Sequence, residues 1–573
     1  MKFSQMTYTR TDLKDFSKEW CQLITDFKKS KSAQQQLNLH NKFNDLMKRY
    51  STMRSLAYIR HTLNTEDGTW SAEQDYYDEN GPHFEKLLID YYKELVSSKF
   101  RSELEKELSP LVFEKIELAL KGFDERMIPY MQEEGKLTTA YAKLLAAAEF
   151  QFDGKTLNLP MLTFYMEHPD REIRRAAFQK RTEFFVAHAK ELDELYDKLV
   201  KVRTAMAREI GMNNYIPLGY IIMERNDYDR DMVANFRNQV KEYLVPLATK
   251  LHDKKRRFLG LERLSFIDEP VYFKEGNPAP VGTPEQIFEN GKRMYSELSP
   301  QTKEFFNFML EGELFDVLSK KGKTGGGYCD FLPFYKSPFV FANFNGTSGD
   351  IDVLTHECGH ALESYLTRDM KVYEQTRIGM ETAEIHSMSM EFFTAPWMHL
   401  FFQEKTPQYL YMHLLSTLIF IPYGCMVDEF QHIVFENPDL TPDERKKVWR
   451  ELEGQYKPHL NYEGDPFFGR GGTWQRQTHI YERPFYYIDY CLAQTCALQY
   501  KIKMEADFKP AWESYLNLSR RGGTMKFTEL IREAGLESPF EEGCLKHMVK
   551  AVEELIETYE NKLPEEYRKA LEQ

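Results

Sequence analysis

Positive charge in excess is the first thing this chain lacks. It carries 89 acidic against 75 basic side chains, a formal charge of −14 over 573 residues. Nucleic acid and anionic membrane both select basic surfaces, so neither is expected as a partner. Cysteine is sparse and unpatterned. The seven, at 21, 329, 358, 425, 491, 496 and 544, are odd in number and show no zinc-finger spacing. They read as reduced thiols in a cytoplasmic protein. Long apolar runs are missing too. The longest, Leu414 to Val427, is 14 residues and is interrupted by Ser416, Thr417, Pro422 and Gly424. A bilayer span needs about 20. The amino end, Met1-Lys-Phe-Ser-Gln-Met-Thr-Tyr8, has no apolar segment or cleavage pattern, so no secretory signal is expected there. No repeat of fixed period occurs, and strand signals are few.

What is present describes a globular protein with 42% hydrophobic and 29% charged residues. The chain is too long for one ordinary core, so several domains or one large helical body are expected. Residues 1–150 read as a helical lobe. Thr11 is a plausible first cap, with Trp20, Leu23, Ile24 and Phe27 at helical spacing behind it. Further helical patterns cover Leu37–Tyr50, Asp75–Phe100 and Pro110–Leu120. Asp153-Gly154 marks a hairpin, and Asp170 opens a helix expected to run to about Ile210. Pro338 to Asn345 is a β-rich run, expected to present an edge to a bound peptide. A phosphate-cradling reading of Gly325 to Gly327 fails, because no Gly-Lys-Ser/Thr follows at the required spacing.

The chemistry concentrates in His356-Glu-Cys-Gly-His360. With only 15 histidines, a chance HExxH somewhere in such a chain is a matter of roughly a few per cent. Residues four apart stack on one side of a helix, so two imidazoles can hold one metal ion. Ile351, Leu354, Cys358, Ala361, Leu362 and Tyr365 form an apolar stripe. His356 and His360 fall opposite, with Asp352 and Glu363. Cys358 therefore reads as packing. Glu357 sits beside the histidines, where it can reach a metal-bound water without replacing a ligand.

Two histidines leave a catalytic zinc one protein ligand short. After His360 come Ala, Leu, Glu, Ser and Tyr, which excludes HExxHxxGxxH. The next acidic helical stretch places Glu381, Glu384, Met388 and Glu391 on one face. Glu384 is central and is expected to ligate, with Glu381 as its competitor. Glu391, two turns on, would hydrogen-bond a histidine ligand from outside. His386 points off this face and reads as structural.

The histidine pentad, with Glu384 24 residues after it and Glu391 seven further, resembles the thimet oligopeptidase (M3) family. The bacterial oligoendopeptidase F and Pz-peptidase branch is the nearer likeness. Asp170 to Phe178, Phe341 to Gly346 and Pro484 to Tyr490 also carry the resemblance, over roughly residues 150 to 550. It implies a mainly α, two-lobed body around a deep channel, with a small β-sheet near the zinc site. Residues 1–150 would form the amino-terminal lobe and 151–573 the catalytic part, its zinc core at about 335–500. It further implies one Zn2+ per chain and cleavage of short unfolded peptides.

Pro484 suits a helix start, which puts Tyr486 and Tyr490 one turn apart with Tyr487 near them. On spacing alone such an aromatic cluster is more often core. The resemblance assigns catalytic roles to His479, Tyr487 and Tyr490, and substrate contacts to Ala342, Phe344, Gly471 and Tyr486. The choice among the three tyrosines stays open, as does the oligomeric state. The rival readings are another zincin, a thermolysin-like protease or a dipeptidyl carboxypeptidase, and a non-catalytic peptide-binding protein with a vestigial metal site.

Overall fold

The computed structural model describes residues 1–572. Its amino-terminal helices follow from their caps and apolar stripes. Leu13–Lys29 buries Phe16, Trp20 and Phe27, and Ala33–Leu63 and Gly68–Val96 pack against it. Their aromatics make a separate core in which the Trp20 indole donates to the Leu87 carbonyl at 2.7 Å. Asp12, and not Thr11, caps the first helix: its carboxylate accepts from the Asp15 amide at 2.9 Å. Thr11 is otherwise engaged, since its carbonyl accepts the Tyr76 hydroxyl.

The hairpin pairs Phe150–Phe152 with Lys155–Leu157, and Asp153 and Gly154 both take positive φ, as the turn requires. The helix expected from Asp170 to Ile210 is two helices, Arg171–Ala187 and Ala189–Glu209, separated at His188. At Val240–Leu244 the backbone widens into a π turn just before Pro246, which has no N–H for the preceding ladder.

Three strands form the sheet that carries the site. Ser337–Phe344 lies in the middle, parallel to Phe315–Leu318 and antiparallel to Tyr328–Leu332. Because both faces are covered, its residues are almost continuously buried. This corrects the expectation that it offers an edge. Ala342 is fully buried, and its carbonyl accepts from Lys323 Nζ at 2.6 Å. Phe344 packs beside Phe288. Neither is free to touch a peptide; the outer strands of the sheet are Phe315–Leu318 and Tyr328–Leu332.

The helix Thr406–Glu436 contains the longest apolar run. The segment His399–Glu436 contains an 18-residue stretch apolar enough by composition to cross a membrane, with mean hydropathy 1.6, yet 72% of that stretch is buried inside the protein. It is the spine of the main core.

Candidate metal centre

The histidine helix, Gly349–Thr367, starts immediately after the central strand. Asp350 ties the two together by accepting the Asn345 and Gly346 amides, each at 2.8 Å. The helix buries Ile351, Leu354, Cys358, Ala361 and Leu362, which turns His356 and His360 away from the core. Their side chains remain 20% and 17% exposed, so the site is recessed but wet. Glu363, expected on the same open stripe, is instead buried and bonded to Thr367 at 3.3 Å.

The glutamate helix, Met380–Phe393, crosses the histidine helix at Gly359. A Cβ there would stand 2.5 Å from the His386 carbonyl oxygen. Only a glycine permits this approach, and the approach delivers Glu384. Its Oε2 lies 3.2 Å from His356 Nε2 and 3.5 Å from His360 Nε2. The Ser387 hydroxyl steadies the same oxygen at 2.9 Å, and Tyr486 donates to Oε1. Glu381 goes elsewhere. It is buried at the start of the helix with Oε2 unpartnered, in the field of Asp489 and Arg225. His386 is buried and bonded to Ser519, with its pKa pushed down to about 3 by burial.

Glu391 accepts from His356 Nδ1 at 2.7 Å and from His413 Nε2 at 2.8 Å. That bond fixes the His356 tautomer and leaves Nε2 facing Glu384. Burial opposes charge on His356, but Glu384 and Glu391 outweigh it and hold its pKa up. Burial likewise opposes the Glu384 carboxylate, and the His360 and His356 rings outweigh it and hold its pKa down. One carboxylate oxygen and two ring nitrogens thus converge within 4.8 Å. Their hardness and number suit a divalent ion with a coordination position to spare. Glu357 lies alongside, buried, with Oε2 unpartnered and its pKa raised by burial. Gly327, at the start of the edge strand, presses on it: a Cβ at that position would lie 3.1 Å from Glu357 Oε1.

The tyrosine helix begins at Tyr487, not Pro484. Pro484 lies in the turn before it, where Phe485 takes φ +67°. Tyr486 then precedes the helix and reaches Glu384. Tyr490 Oη lies 3.1 Å from His479 Nε2. The Gln477 carbonyl oxygen accepts from Tyr423 at 2.9 Å, so its NH2 faces His479 Nδ1, also at 2.9 Å. His479 Nδ1 is therefore the acceptor and Nε2–H points at the Tyr490 oxygen, freeing the Tyr490 proton. Burial and Arg483 push the His479 pKa down to about 4, which keeps the ring neutral. Burial raises both phenols. Tyr490 is raised further by Glu384 and Glu357, whereas Tyr487 answers to Tyr423, with Arg476 pulling the other way. Gly471 does not join this group. It is buried at φ +90° against the Lys446 carbonyl and serves the loop's backbone.

A second cluster, His252, Glu269 and His459, also gathers potential donors. Its imidazoles stack face to face at 3.5 Å, so their lone pairs do not converge. Lys457 already bridges both Glu269 oxygens, at 2.8 and 3.0 Å. It is an ion-pair cluster. Gly359, Ser387, His413, Gln477 and the Asp352–Tyr409 bond at 2.5 Å escape sequence reasoning. Only Asp352 and Gly359 carried any local signal, the first by its place on the histidine face and the second by lying within the pentad.

Comparison with known proteins places this geometry. Residues 3–123 match the peptidase M3 N-terminal domain, and residues 296–550 match peptidase family M3. The structure of Pz peptidase A, solved with an inhibitor, is 46% identical and superposes with a TM-score of 0.97 over 99% of this chain and 100% of that one. A 3.1 Å crystal structure provisionally described as oligoendopeptidase F is 47% identical, with the same TM-score and the same coverage of both chains. Oligopeptidase PepF of Bacillus subtilis is 22% identical over 418 residues, which span 68% of this chain and 59% of that protein.

Proposed function

Because the chain belongs to peptidase family M3, and is with it a metallopeptidase, we propose that it is a zinc-dependent oligoendopeptidase cutting internal bonds of short unfolded peptides. The observation that carries this reading is the convergence of His356, His360 and Glu384 beside an unpartnered, buried Glu357. Those three residues would hold the ion. Zinc bound there supplies a Lewis acid and lowers the pKa of coordinated water.

The remaining work falls to the chain's own groups. Among the described residues Glu357 Oε2 has no protein partner, and burial favours its protonated form, so it is suited to take a proton from the attacking water and pass it to the leaving amine. The Tyr490 proton, freed by His479, is the donor for the developing oxyanion. Tyr486, whose proton goes to Glu384, orients the ligand carboxylate. The free edge of Tyr328–Leu332 can pair with an extended peptide, which Gly327 would bring close to Glu357. A recessed site of this kind admits a flexible segment and not a folded domain. Cysteines that are all free thiols suit the cytoplasm.

The test is a quenched fluorogenic peptide with an internal cleavable bond. Turnover is expected, lost with chelator and restored by zinc. Glu357→Gln should keep its metal and lose turnover by a factor of roughly 10² or more. Chelator-resistant cleavage, or near-normal turnover by that variant, would overturn the reading.

A further inference from the structure

Few large apolar side chains of this protein are open to solvent, and Tyr58 is one of them, at 40% exposure. It stands on the amino-terminal helix Ala33–Leu63, where Leu56, Ala57 and Ile59 around it are fully buried. The sheet beside the metal centre fixes its place. The Tyr58 ring lies 5.5 Å from that of Tyr328, the first residue of the outer strand Tyr328–Leu332. Tyr328 is itself held firmly. Its ring stacks on Phe341 at 4.6 Å, and its hydroxyl bonds Thr62 Oγ1 at 2.7 Å. Thr62 follows Tyr58 by one helical turn, so both project toward the strand. Just beyond the strand's far end, the Phe334 amide donates to Thr52 Oγ1 at 2.9 Å. The helix therefore runs alongside the strand, in the opposite direction.

Successive residues of an extended chain point to opposite faces. Gly327 and Tyr328 show which face is which. A Cβ at Gly327 would meet Val353 Cγ1 at 3.0 Å and Glu357 Oε1 at 3.1 Å, both on the histidine helix. The side chain at 328 goes the other way, to Tyr58 and Thr62. Next to Glu357 the outer strand is thus flanked by the metal-bearing helix on one face and by the amino-terminal lobe on the other. Burial raises the Tyr58 hydroxyl pKa to about 12, so the ring is open to solvent and yet recessed.

We propose that Tyr58 is a specificity-determining residue, the wall of a subsite for an aromatic side chain of the peptide. A peptide paired with Tyr328–Leu332 continues the sheet, and its side chains alternate between the two faces. Those on one face turn toward the histidine helix. Those on the other meet Tyr58, whose open ring offers burial and an aromatic pair. Selection should therefore fall on one residue of the substrate and skip its immediate neighbours. This rests on the peptidase reading, and adds to it that the amino-terminal lobe reads the sequence being cut.

The experiment moves a single Phe through each position of a quenched, otherwise Ala-based peptide. Selectivity is read as the ratio of kcat/KM for the Phe peptide to that for the Ala parent in the same protein, so a general loss of activity cancels. For the wild type the ratio is expected to reach roughly ten at one position near the cleaved bond. Tyr58→Ala should bring that ratio close to one and leave the ratios at the two adjacent positions unchanged. Tyr58→Phe should keep it, because the ring makes the wall. An unchanged ratio in Tyr58→Ala, or an equal fall at adjacent positions, would overturn the proposal. A fall in Tyr58→Phe as large as in Tyr58→Ala would also overturn it, by assigning recognition to the hydroxyl. Binding of labelled Phe and Ala peptides to Glu357→Gln protein, with and without Tyr58→Ala, is read by anisotropy. That arm requires no turnover, so absence of a Phe preference that depends on Tyr58 refutes the subsite there. Failure of the wild type to cleave any peptide refutes only the peptidase reading.

Discussion

Gly359 and Ser387 meet backbone to backbone: a Cβ on Gly359 would stand 2.6 Å from the Ser387 Cα. No side chain can rotate out of that contact, because the atom it meets is main chain. The separation of the two helices, and with it the reach of Glu384, is therefore set at this one position. Gly359→Ala is expected to push the helices apart, costing about 1–3 kcal/mol by overpacking. Metal content should fall with stability. A variant that binds metal as tightly as the wild type would show that the helices have slack.

Glu384 and Glu381 share one helix and part company in space. Glu384→Ala should abolish stoichiometric metal, whereas Glu381→Ala should keep it, and elemental analysis of the two purified proteins decides. The same site makes a statement about protons. The raised pKa of His356 means that the metal-free ring keeps its proton at neutral pH, so metal uptake at pH 7 should release about one proton. As pH falls, that proton competes better and affinity drops. Calorimetry in buffers of different ionisation enthalpy measures the release; no release would contradict the assigned environment.

Glu391 touches His356 and His413 but neither His360 nor Glu384. Glu391→Gln should weaken metal binding by roughly 10–100-fold while leaving all three donors in place. A competitive chelator titration reads the change.

Tyr490 and His479 act as one unit through the 3.1 Å bond between the Tyr490 hydroxyl and His479 Nε2. Tyr490→Phe should lower kcat by roughly 10²–10³ with KM and metal content unchanged. His479→Phe should cost less, since Tyr490 keeps its proton but loses its orientation. The double variant should be no worse than Tyr490→Phe alone. Additive losses would mean that the two residues work separately.

Glu363 gives a pH signature in stability. Burial raises its pKa to about 8, far above its unfolded value, so the folded state holds a proton that the unfolded state has lost. Between the two values the folded protein binds more protons, and stability must fall as pH rises. Relative to wild type, Glu363→Gln should be nearly neutral near pH 4 and stabilising at pH 8, by roughly 4 kcal/mol. Thermal unfolding at the two pH values checks it. A variant equally stabilised at both would place the effect in packing.

The sequence by itself determined the helical character of the protein, the metal pentad and the face it occupies, because helical periodicity is a local property. It also singled out Glu384 over Glu381 as the expected third donor, by position on a helix face. What it could not decide was anything set by the path of one element past another. Ala342 and Phe344 looked like an exposed edge because a buried central strand and a half-exposed one share the same β-forming residues. Only the pairing of Ser337–Phe344 on both sides separates them. Thr11 and Asp12 are equally good caps on paper, and the Tyr76 hydroxyl on the Thr11 carbonyl belongs to a helix some sixty residues away. His413 and Gln477 carry no motif at all. Their roles come from partners that tertiary packing brings within hydrogen-bonding distance, Glu391 for His413 and Tyr423 for Gln477.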